Sequence, residues 1–217
     1  MLLPNNQIYK VNSNLSWSDF AAIPKTYYTA FGSLKNLNIN KDDKVLVRGA
    51  TSGVGEAFAK LLKAKYPSIY LTGSTRKENK ITKLKSYGYD EVILDKDDIL
   101  DTNQSFDKIL ELVGPAVIKD LISHLNEFGI ICNTGLLGES WYLEEFDPTM
   151  ELKNNIYLTA FYSGGVNEDK LNEMFTYIKE HKVEIKPEKI FNLAEIVKAH
   201  DYLENNESFG KVVVVND

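Results

Sequence analysis

The stretch that decides the fold class is VLVRGATSGVG, at residues 45–55. Val45 to Arg48 is predicted to be a strand buried on both faces. Small residues follow it, and a helix is then predicted from about Val54 to Tyr66, where Pro67 ends it. A buried strand that enters a helix through small residues is typical of a phosphate-binding turn, because a backbone without side chains can approach a pyrophosphate closely.

The turn departs from the dinucleotide-binding pattern Gly-x-Gly-x-x-Gly. Ala50 and Ser52 stand at the first two glycine positions, and only Gly55 is kept. Tight strand-to-helix turns also need small residues for steric reasons alone, so the turn by itself is weak evidence. Its position between a strand and a helix nonetheless favours a dinucleotide site. The candidate phosphate-binding residues are Thr51, Ser52, Gly53 and Val54.

On the C-terminal side of this stretch, short β-branched runs alternate with longer amphipathic segments. This alternation predicts an α/β fold with a doubly wound parallel sheet. The further predicted strands are 69–72, 91–94, 106–113, 128–133, 155–162 and 211–215. The further predicted helices are 77–87, one starting near Pro115, 171–181 and 193–203.

The end of the second predicted strand indicates which dinucleotide is bound. An Asp or Glu there would accept hydrogen bonds from the ribose hydroxyls of NAD and would repel a 2′-phosphate. This strand ends without an acid at Ser74, and the cations Arg76, Lys77 and Lys80 follow. Guanidinium, ammonium and hydroxyl groups suit a phosphate dianion, so Ser74, Arg76 and Lys80 favour NADPH. The alternative interpretation is an ordinary basic helix surface.

Composition narrows the class of protein. With 43% hydrophobic residues in 217, the chain can bury a substantial core. A formal net charge of −6 disfavours nucleic acid as a partner, because phosphate neutralisation needs clustered Lys and Arg. The single cysteine, Cys132, lies in an apolar run and is predicted to be a buried core residue. There is no apolar stretch long enough to span a membrane and no N-terminal leader pattern, so a cytoplasmic protein is expected.

Short motifs recur in a definite order and spacing along the whole chain. They are LPN at 3–5, YKV at 9–11, LSW at 15–17, AAIP at 21–24, YTAF at 28–31, the turn at 49–55, residues 87–93, FD at 106–107, LVG at 112–114, GLLG at 135–138 and FGKVVV at 209–214. Each motif alone is unspecific. Taken together, their order and spacing resemble those of the zinc-independent quinone oxidoreductases, the ζ-crystallin-like branch of the medium-chain dehydrogenase/reductase family.

The resemblance implies a Rossmann domain and places several residues around NADPH. Thr29 would lie against the nicotinamide, and the backbone at Gly135, Leu136 and Leu137, with the segment from Phe161 to Ser163, would line the other side of the ring. Val113, within LVG, would border the adenosine. Zinc alcohol dehydrogenases have a metal-binding Cys four residues before that Thr, whereas this chain has Lys25, so no metal is expected.

The resemblance also implies a domain organisation and an assembly. Family members begin with a GroES-like domain, and this sequence begins at what resembles a late strand of that domain. Residues 1–20 are therefore expected to be a remnant of the GroES-like domain, residues 21–181 the NADP-binding domain, and residues 182–217 a segment that returns to the remnant. The apolar run at 155–162 resembles an edge strand that pairs across a two-fold axis, so a homodimer is expected.

The function that the resemblance implies is hydride transfer from NADPH to a small-molecule quinone or an activated alkene. No catalytic residue is identified. Tyr28 and Tyr162 are candidate proton donors by position only, and aromatic core packing is the simpler expectation for both. A short-chain dehydrogenase is disfavoured, because no Tyr has a Lys four residues later. The remaining alternative is a non-catalytic NADPH-binding sensor, or a subunit that needs a partner domain.

Overall fold

Strands and helices alternate along the polypeptide. This computed structural model describes residues 4, 7–11, 13–205 and 209–216. Its strands are β1 (Val45–Arg48), β2 (Leu71–Thr75), β3 (Glu91–Lys96), β4 (Ile99–Leu100), β5 (Phe106–Glu111), β6 (Leu125–Asn133), β7 (Tyr157–Ala160), β8 (Lys189–Asn192) and β9 (Val212–Val215). Its helices are α1 (Trp17–Ala21), α2 (Thr26–Leu37), α3 (Gly53–Lys65), α4 (Ile81–Ser86), α5 (Ile118–Ser123), α6 (Pro148–Glu151), α7 (Glu168–Glu180) and α8 (Ile196–Glu204).

Seven strands form one sheet in the order β4-β3-β2-β1-β5-β6-β7. All neighbouring strands are parallel except β3 and β4, which form a short antiparallel hairpin. If β4 is set aside, β2 and β3 follow β1 on one side of the sheet, and β5, β6 and β7 follow on its other side. This is the doubly wound Rossmann order, so the predicted fold class is confirmed. Such sheets bind ligands at the carboxyl ends of the strands, where the chain changes direction between β1 and β5.

The two faces of the sheet pack against different helices. Alternate residues of β1, β5 and β6 point to opposite faces, as the strand period requires. Val47, Leu110 and Cys132 belong to the larger core with α2, α3 and α7. Leu46 and Ile109 belong to the smaller core with α5. The prediction of a buried Cys132 is confirmed.

Some predicted elements differ from the observed ones. Helix α3 lies within one residue of its predicted bounds, whereas the helix predicted over 77–87 is shorter, because Lys77 is extended and its amide donates to Thr75 Oγ1. The sequence pattern did not indicate α1 or α2. Among the described residues no helix is long and apolar enough to cross a membrane.

The C-terminal residues form their own two-stranded sheet. Strands β8 and β9 pair in parallel, and α8 connects them. Residues 7–11 add no strand to this sheet, although the Tyr9 hydroxyl donates to the Val166 carbonyl at 3.2 Å. Residues 1–3, 5, 6 and 12 of the expected N-terminal remnant lie outside the described part of the chain. The structure therefore does not confirm a GroES-like remnant built from both termini, and the domain boundaries stay a prediction.

Candidate functional site

The turn between β1 and α3 has the geometry of an anion-binding turn. Gly49 follows β1 with φ of 82°, a conformation that favours glycine. Ser52 caps α3, and its Oγ accepts the Gly55 amide at 3.1 Å. The first amides of a helix have no acceptor inside the helix, so those of Gly53 and Val54 can bind an external anion.

Gly55 lets the helix begin directly on the turn. A Cβ at Gly55 would lie 2.6 Å from the Ala50 carbonyl oxygen, which is backbone and cannot move without moving the turn. At Gly53, by contrast, a Cβ would meet the backbone of Gly210 at 3.7 Å, an ordinary contact. The retained glycine of the pattern is thus the one that close packing requires.

A cavity of about 90 Å³ opens where β1, β2 and β3 end. Four of the predicted residues line it together, namely Thr51, Ser74, Arg76 and Val113. Ser74 is buried, and its Oγ accepts the Gly49 amide at 3.3 Å, which ties the end of β2 to the turn. Whole ligand clefts usually measure ~300–1,000 Å³, so this cavity is smaller than a complete ligand cleft.

Lys80 lies elsewhere, which differs from its predicted place beside Arg76. Its ammonium is 4.5 Å from the centre of the Phe209 ring, and it does not line the cavity. Burial first, and then the nearby Lys77, lowers the pKa of Lys80. The chain is extended at Lys77, so Lys80 ends a short 3-10 turn before α4, and its ammonium packs on Phe209 from the C-terminal segment.

Glu111, at the end of β5, supports the backbone beside this cavity. Its carboxylate accepts the amides of Val113 and Gly114, the latter at 2.8 Å. The side chain is fully buried, and burial raises the pKa of Glu111 to about 8 even though these hydrogen bonds lower it. The carboxyl group therefore fixes the position of Val113, which lines the cavity.

The loop after β6 packs on the same backbone. The Gly138 amide donates to the Val113 carbonyl at 2.6 Å, and the Leu137 amide donates to the Leu112 carbonyl at 3.2 Å. A Cβ at Gly135 would lie only 2.0 Å from the Leu112 carbonyl oxygen. The predicted residues Gly135 and Leu136 thus adjoin the predicted residue Val113, and the Leu136 side chain is 45% exposed.

Thr29 and Phe161 lie beyond that loop, on α2 and after β7. Thr29 is buried, and Ser33, one turn later on α2, bonds the Thr134 hydroxyl at 2.9 Å, which brings this face of α2 to the end of β6. The Phe161 amide donates to the Asn133 carbonyl at 3.1 Å. Its ring covers Gly32, where a Cβ would lie 2.0 Å from Phe161 Cζ. Thr29 does not line the 90 Å³ cavity.

Ser163 lines a second, larger cavity of about 800 Å³ together with Lys25 and the two tyrosines considered as proton donors. The Tyr28 hydroxyl donates to the Gly165 carbonyl at 3.1 Å, and burial raises the pKa of Tyr28. Tyr28 is buried as expected, but Tyr162 is 84% exposed. The expectation of core packing is therefore wrong for Tyr162, which projects from the loop after β7.

Sequence reasoning missed several residues of the first cavity. Asp95 and Asp98 line it together with Arg76. The segment from Lys96 to Asp101 is charge-rich and forms the β3–β4 hairpin, with Asp97 and Asp98 at positive φ. The acidic dipeptide beside a β-branched strand could have indicated a two-residue hairpin turn. The remaining lining residues that were not predicted are Gly49, Thr75 and Gly138, whereas Leu137, expected beside the nicotinamide, lines this cavity as well.

A match to a known family covers more than half of the chain. The profile described as zinc-binding dehydrogenase matches residues 87–214, from the end of α4 to β9. The chain belongs to the zinc-binding dehydrogenase family. This assignment agrees with the resemblance to medium-chain dehydrogenases/reductases carried by the sequence motifs.

Curated relatives of this zinc-binding dehydrogenase family member include two oxidoreductases. The chain is 26% identical over 205 residues to the 2-methylene-furan-3-one reductase of Solanum lycopersicum, covering 93% of this chain and 47% of that protein. It is 27% identical over 219 residues to a probable quinone oxidoreductase of Leishmania amazonensis, covering 90% of this chain and 64% of that protein. A probable polyketide synthase of Dictyostelium discoideum matches all of this chain at 23% identity with 8% of its own length. The chain thus spans less than two thirds of these relatives.

Solved structures share the fold. AibC superposes with a TM-score of 0.79 at 24% identity, covering 99% of this chain and 61% of that one. The yhdH oxidoreductase of Salmonella enterica, solved in complex with NADP, superposes with a TM-score of 0.77 at 20% identity, covering 97% of this chain and 67% of that one. At these identities the likeness establishes the fold alone.

The family's description implies zinc, and the donor set does not fit it. Among the described residues no group of three or more His, Cys, Asp or Glu side chains could hold a metal ion. Lys25 stands four residues before Thr29, and Cys132 is buried with its Sγ 3.5 Å from the Thr134 hydroxyl. Zinc sites need three or four such ligands, so the chemistry proposed below uses no metal step.

Proposed function

We propose that this chain binds NADPH and belongs to an oxidoreductase that transfers hydride to a quinone or an activated carbon–carbon double bond. The observation that carries the proposal is the cavity at the ends of β1–β3, where Ser74 and Arg76 lie beside the turn that begins α3. A cation and a hydroxyl next to an anion-binding turn suit a nucleotide with an additional phosphate.

The residues present fit NADPH along the carboxyl edge of the sheet. The amides of Gly53 and Val54 would hold the pyrophosphate, and Gly55 permits the close packing that this needs. Arg76 would bind the 2′-phosphate in the cavity of about 90 Å³. Val113 would border the adenosine, since Glu111 fixes its backbone there.

Bound NADPH supplies a hydride from C4 of its nicotinamide. In the proposal, the contribution of the protein is positioning. Thr29 and Phe161 flank the end of β6, where Gly135 and Leu136 present backbone groups that could orient the carboxamide, and Ser163 extends this surface into the larger cavity. No proton donor is assigned, because the Tyr28 hydroxyl already donates to the Gly165 carbonyl.

The relatives support the reaction class. One is named as a 2-methylene-furan-3-one reductase and another as a probable quinone oxidoreductase, which are enone and quinone chemistries. Neutral acceptors of this kind suit the larger cavity, where apolar side chains such as Ile23, Leu171 and Met174 accompany one cation, Lys25.

Coenzyme titration of the purified chain tests the proposal. Saturable binding of NADPH, tighter than that of NADH, is expected from coenzyme fluorescence. Arg76→Met should weaken NADPH binding by about 10- to 100-fold, the range for a hydrogen bond to a charged group, and leave NADH within about 3-fold. Lys80→Met removes the same charge over Phe209 and should change neither affinity. A folded sample that takes up neither coenzyme would contradict the proposal.

Turnover separates an enzyme from a binding module. Oxidation of NADPH by a small quinone, followed by absorbance, is expected if the larger cavity accepts substrate in this chain. Saturable binding without turnover would favour the second candidate, a non-catalytic NADPH sensor or a subunit that needs a partner domain. The exposed loop side chains Leu136 and Tyr162 favour this candidate, since further protein could cover them.

A homodimer through β7 is also proposed. This strand is the edge of the seven-stranded sheet, and the Tyr157 side chain on it is 55% exposed. An unprotected edge can pair with its copy across a two-fold axis. Light scattering should give the mass of a dimer for the native chain and that of a monomer for Tyr157→Lys.

A further inference from the structure

The cavity proposed for the 2′-phosphate contains carboxylates as well as a cation. Asp95 and Asp98 line it together with Arg76. An unpaired carboxylate at this place would repel a 2′-phosphate and would accept hydrogen bonds from the ribose hydroxyls of NADH. Asp98 is exposed, so solvent screens its charge, whereas Asp95 is buried. The coenzyme preference therefore depends on what neutralises Asp95.

Arg48 occupies both oxygens of Asp95. Its Nε lies 2.8 Å from Asp95 Oδ2, and its Nη2 lies 2.8 Å from Asp95 Oδ1. The two parallel bonds form a fork that fixes the orientation of the carboxylate. The Arg48 side chain is fully buried and that of Asp95 is 8% exposed, so solvent screens the pair very little.

Other partners hold the guanidinium from the opposite side. Its Nη1 lies 2.7 Å from Asp120 Oδ2 on α5 and 3.4 Å from the Val117 carbonyl oxygen. Asp120 does not line the cavity, whereas Asp95 does. Two carboxylates thus hold Arg48 near the carboxyl ends of the strands. One of them, that of Asp95, faces the proposed ligand.

We propose that Arg48 determines the preference for NADPH over NADH, by neutralising Asp95 beside Arg76. This inference rests on the proposed function. Arg48 touches no ligand in this scheme and acts as a positioning residue through Asp95. Without Arg48, Asp95 would be free to repel the 2′-phosphate and to accept the ribose hydroxyls, so the two coenzymes would respond in opposite directions.

The experiment measures the ratio of the NADPH and NADH dissociation constants in three variants of the full chain. Arg48→Met should shift the ratio toward NADH by about tenfold or more, because like charges in a poorly solvated site repel strongly. Adding Asp95→Asn to Arg48→Met should return the ratio to within about 3-fold of the native value. Asp120→Asn is the matched control: it removes the other carboxylate partner of Arg48, keeps the fork to Asp95, and should leave the ratio unchanged.

Equal losses for both coenzymes in Arg48→Met would overturn the inference and leave Arg48 a purely structural role. An unpaired buried carboxylate is strongly destabilising, so if Arg48→Met does not fold, Asp95→Asn in the native background carries the test. That variant should raise the preference for NADPH by about 3-fold or more, since it removes the negative charge that lines the cavity while Arg48 keeps its positive charge, and an unchanged ratio overturns the inference. If the native chain bound neither coenzyme, the proposed function itself would fail, whereas native NADPH binding with unchanged ratios would refute only the role of Arg48.

Discussion

The two ends of the proposed coenzyme site differ in how their side chains are satisfied. At the closed end, the cavity at the ends of β1–β3, Arg48 and Asp95 are buried and paired, and the Ser74 hydroxyl is bonded. The open end, formed by residues 135, 136 and 161–163, exposes Leu136 by 45% and Tyr162 by 84%. Beside it, Asn133 Oδ1 is a buried oxygen with no hydrogen-bond partner in the described part of the chain.

This difference indicates that coenzyme anchoring is more completely specified in this chain than the chemistry at the nicotinamide. A buried polar atom without a partner costs free energy, which a ligand or covering group could recover. The closed end is preorganised by internal hydrogen bonds, whereas the open end leaves such groups for substrate or further protein. The predictions below test this contrast, from the largest expected effect to the smallest.

The largest effect is expected at the backbone of the open end. Gly135→Ala would place a Cβ 2.0 Å from the Leu112 carbonyl oxygen, so the loop after β6 must shift. We expect a loss of about 3 kcal/mol or more in the free energy of unfolding, measured with urea. Gly165→Ala is the control, because its Cβ would meet only Lys170 Nζ at 3.6 Å, and it should change stability by less than about 0.5 kcal/mol. Equal losses of stability in Gly135→Ala and Gly165→Ala would mean that the backbone of the open end is not fixed by packing.

The second effect concerns Glu111, which lies between the two ends. Burial raises its folded pKa to about 8, above the usual value of 4.5 for a glutamate. Between these values the folded state keeps a proton that the unfolded chain releases. The stability from this group is therefore fully present below pH 4.5 and is lost as the pH rises through about 8, with a slope of at most about 1.4 kcal/mol per pH unit. Glu111→Gln should flatten this slope in urea unfolding between pH 5 and 8, and an unaltered slope would contradict the assignment.

The third effect concerns the helix cap at the closed end. Ser52→Ala removes the acceptor for the Gly55 amide and should cost about 1 kcal/mol of stability. Asn167→Ala removes the equivalent cap of α7, whose Oδ1 accepts the Lys170 amide, and should cost about the same. Only Ser52→Ala should also weaken NADPH binding, by about 3- to 10-fold, because only that helix faces the proposed pyrophosphate. Equal NADPH affinities in the two variants would mean that the Ser52 cap stabilises α3 without contributing to coenzyme binding.

The sequence predicts the parts of this site that depend on neighbouring residues. A buried strand, small residues and a helix are consecutive in the chain, so VLVRGATSGVG could be interpreted without tertiary information. Helix α2 was not predicted, because its aromatic residues and Gly32 have low helix propensity. Tertiary packing stabilises it instead, since nine of its twelve residues are buried.

Side-chain directions across the fold could not be predicted in the same way. Lys80 was expected beside Arg76 from its position in the sequence, but its direction depends on Phe209, which is far away in the chain. Arg48 did carry a signal. A charged residue inside the apolar run of β1 must find a buried partner, and an acid near the end of another strand could have been sought. Only the sheet order, with β3 two strands away, identifies that acid as Asp95.

The smallest effect is expected for the exposed side chains of the open end. Leu136 contributes to this end through its backbone. The amide of the adjoining Leu137 donates to the Leu112 carbonyl, whereas the Leu136 side chain is 45% exposed. Leu136→Ala should therefore change stability by less than about 0.5 kcal/mol and NADPH affinity by less than about 3-fold in the same fluorescence titration. Gly135→Ala, one residue earlier, provides the contrast, because it alters the backbone itself. If Leu136→Ala weakened NADPH binding as much as Arg76→Met, side chains at the open end would anchor the coenzyme as strongly as those at the closed end, and the distinction between the two ends would not hold.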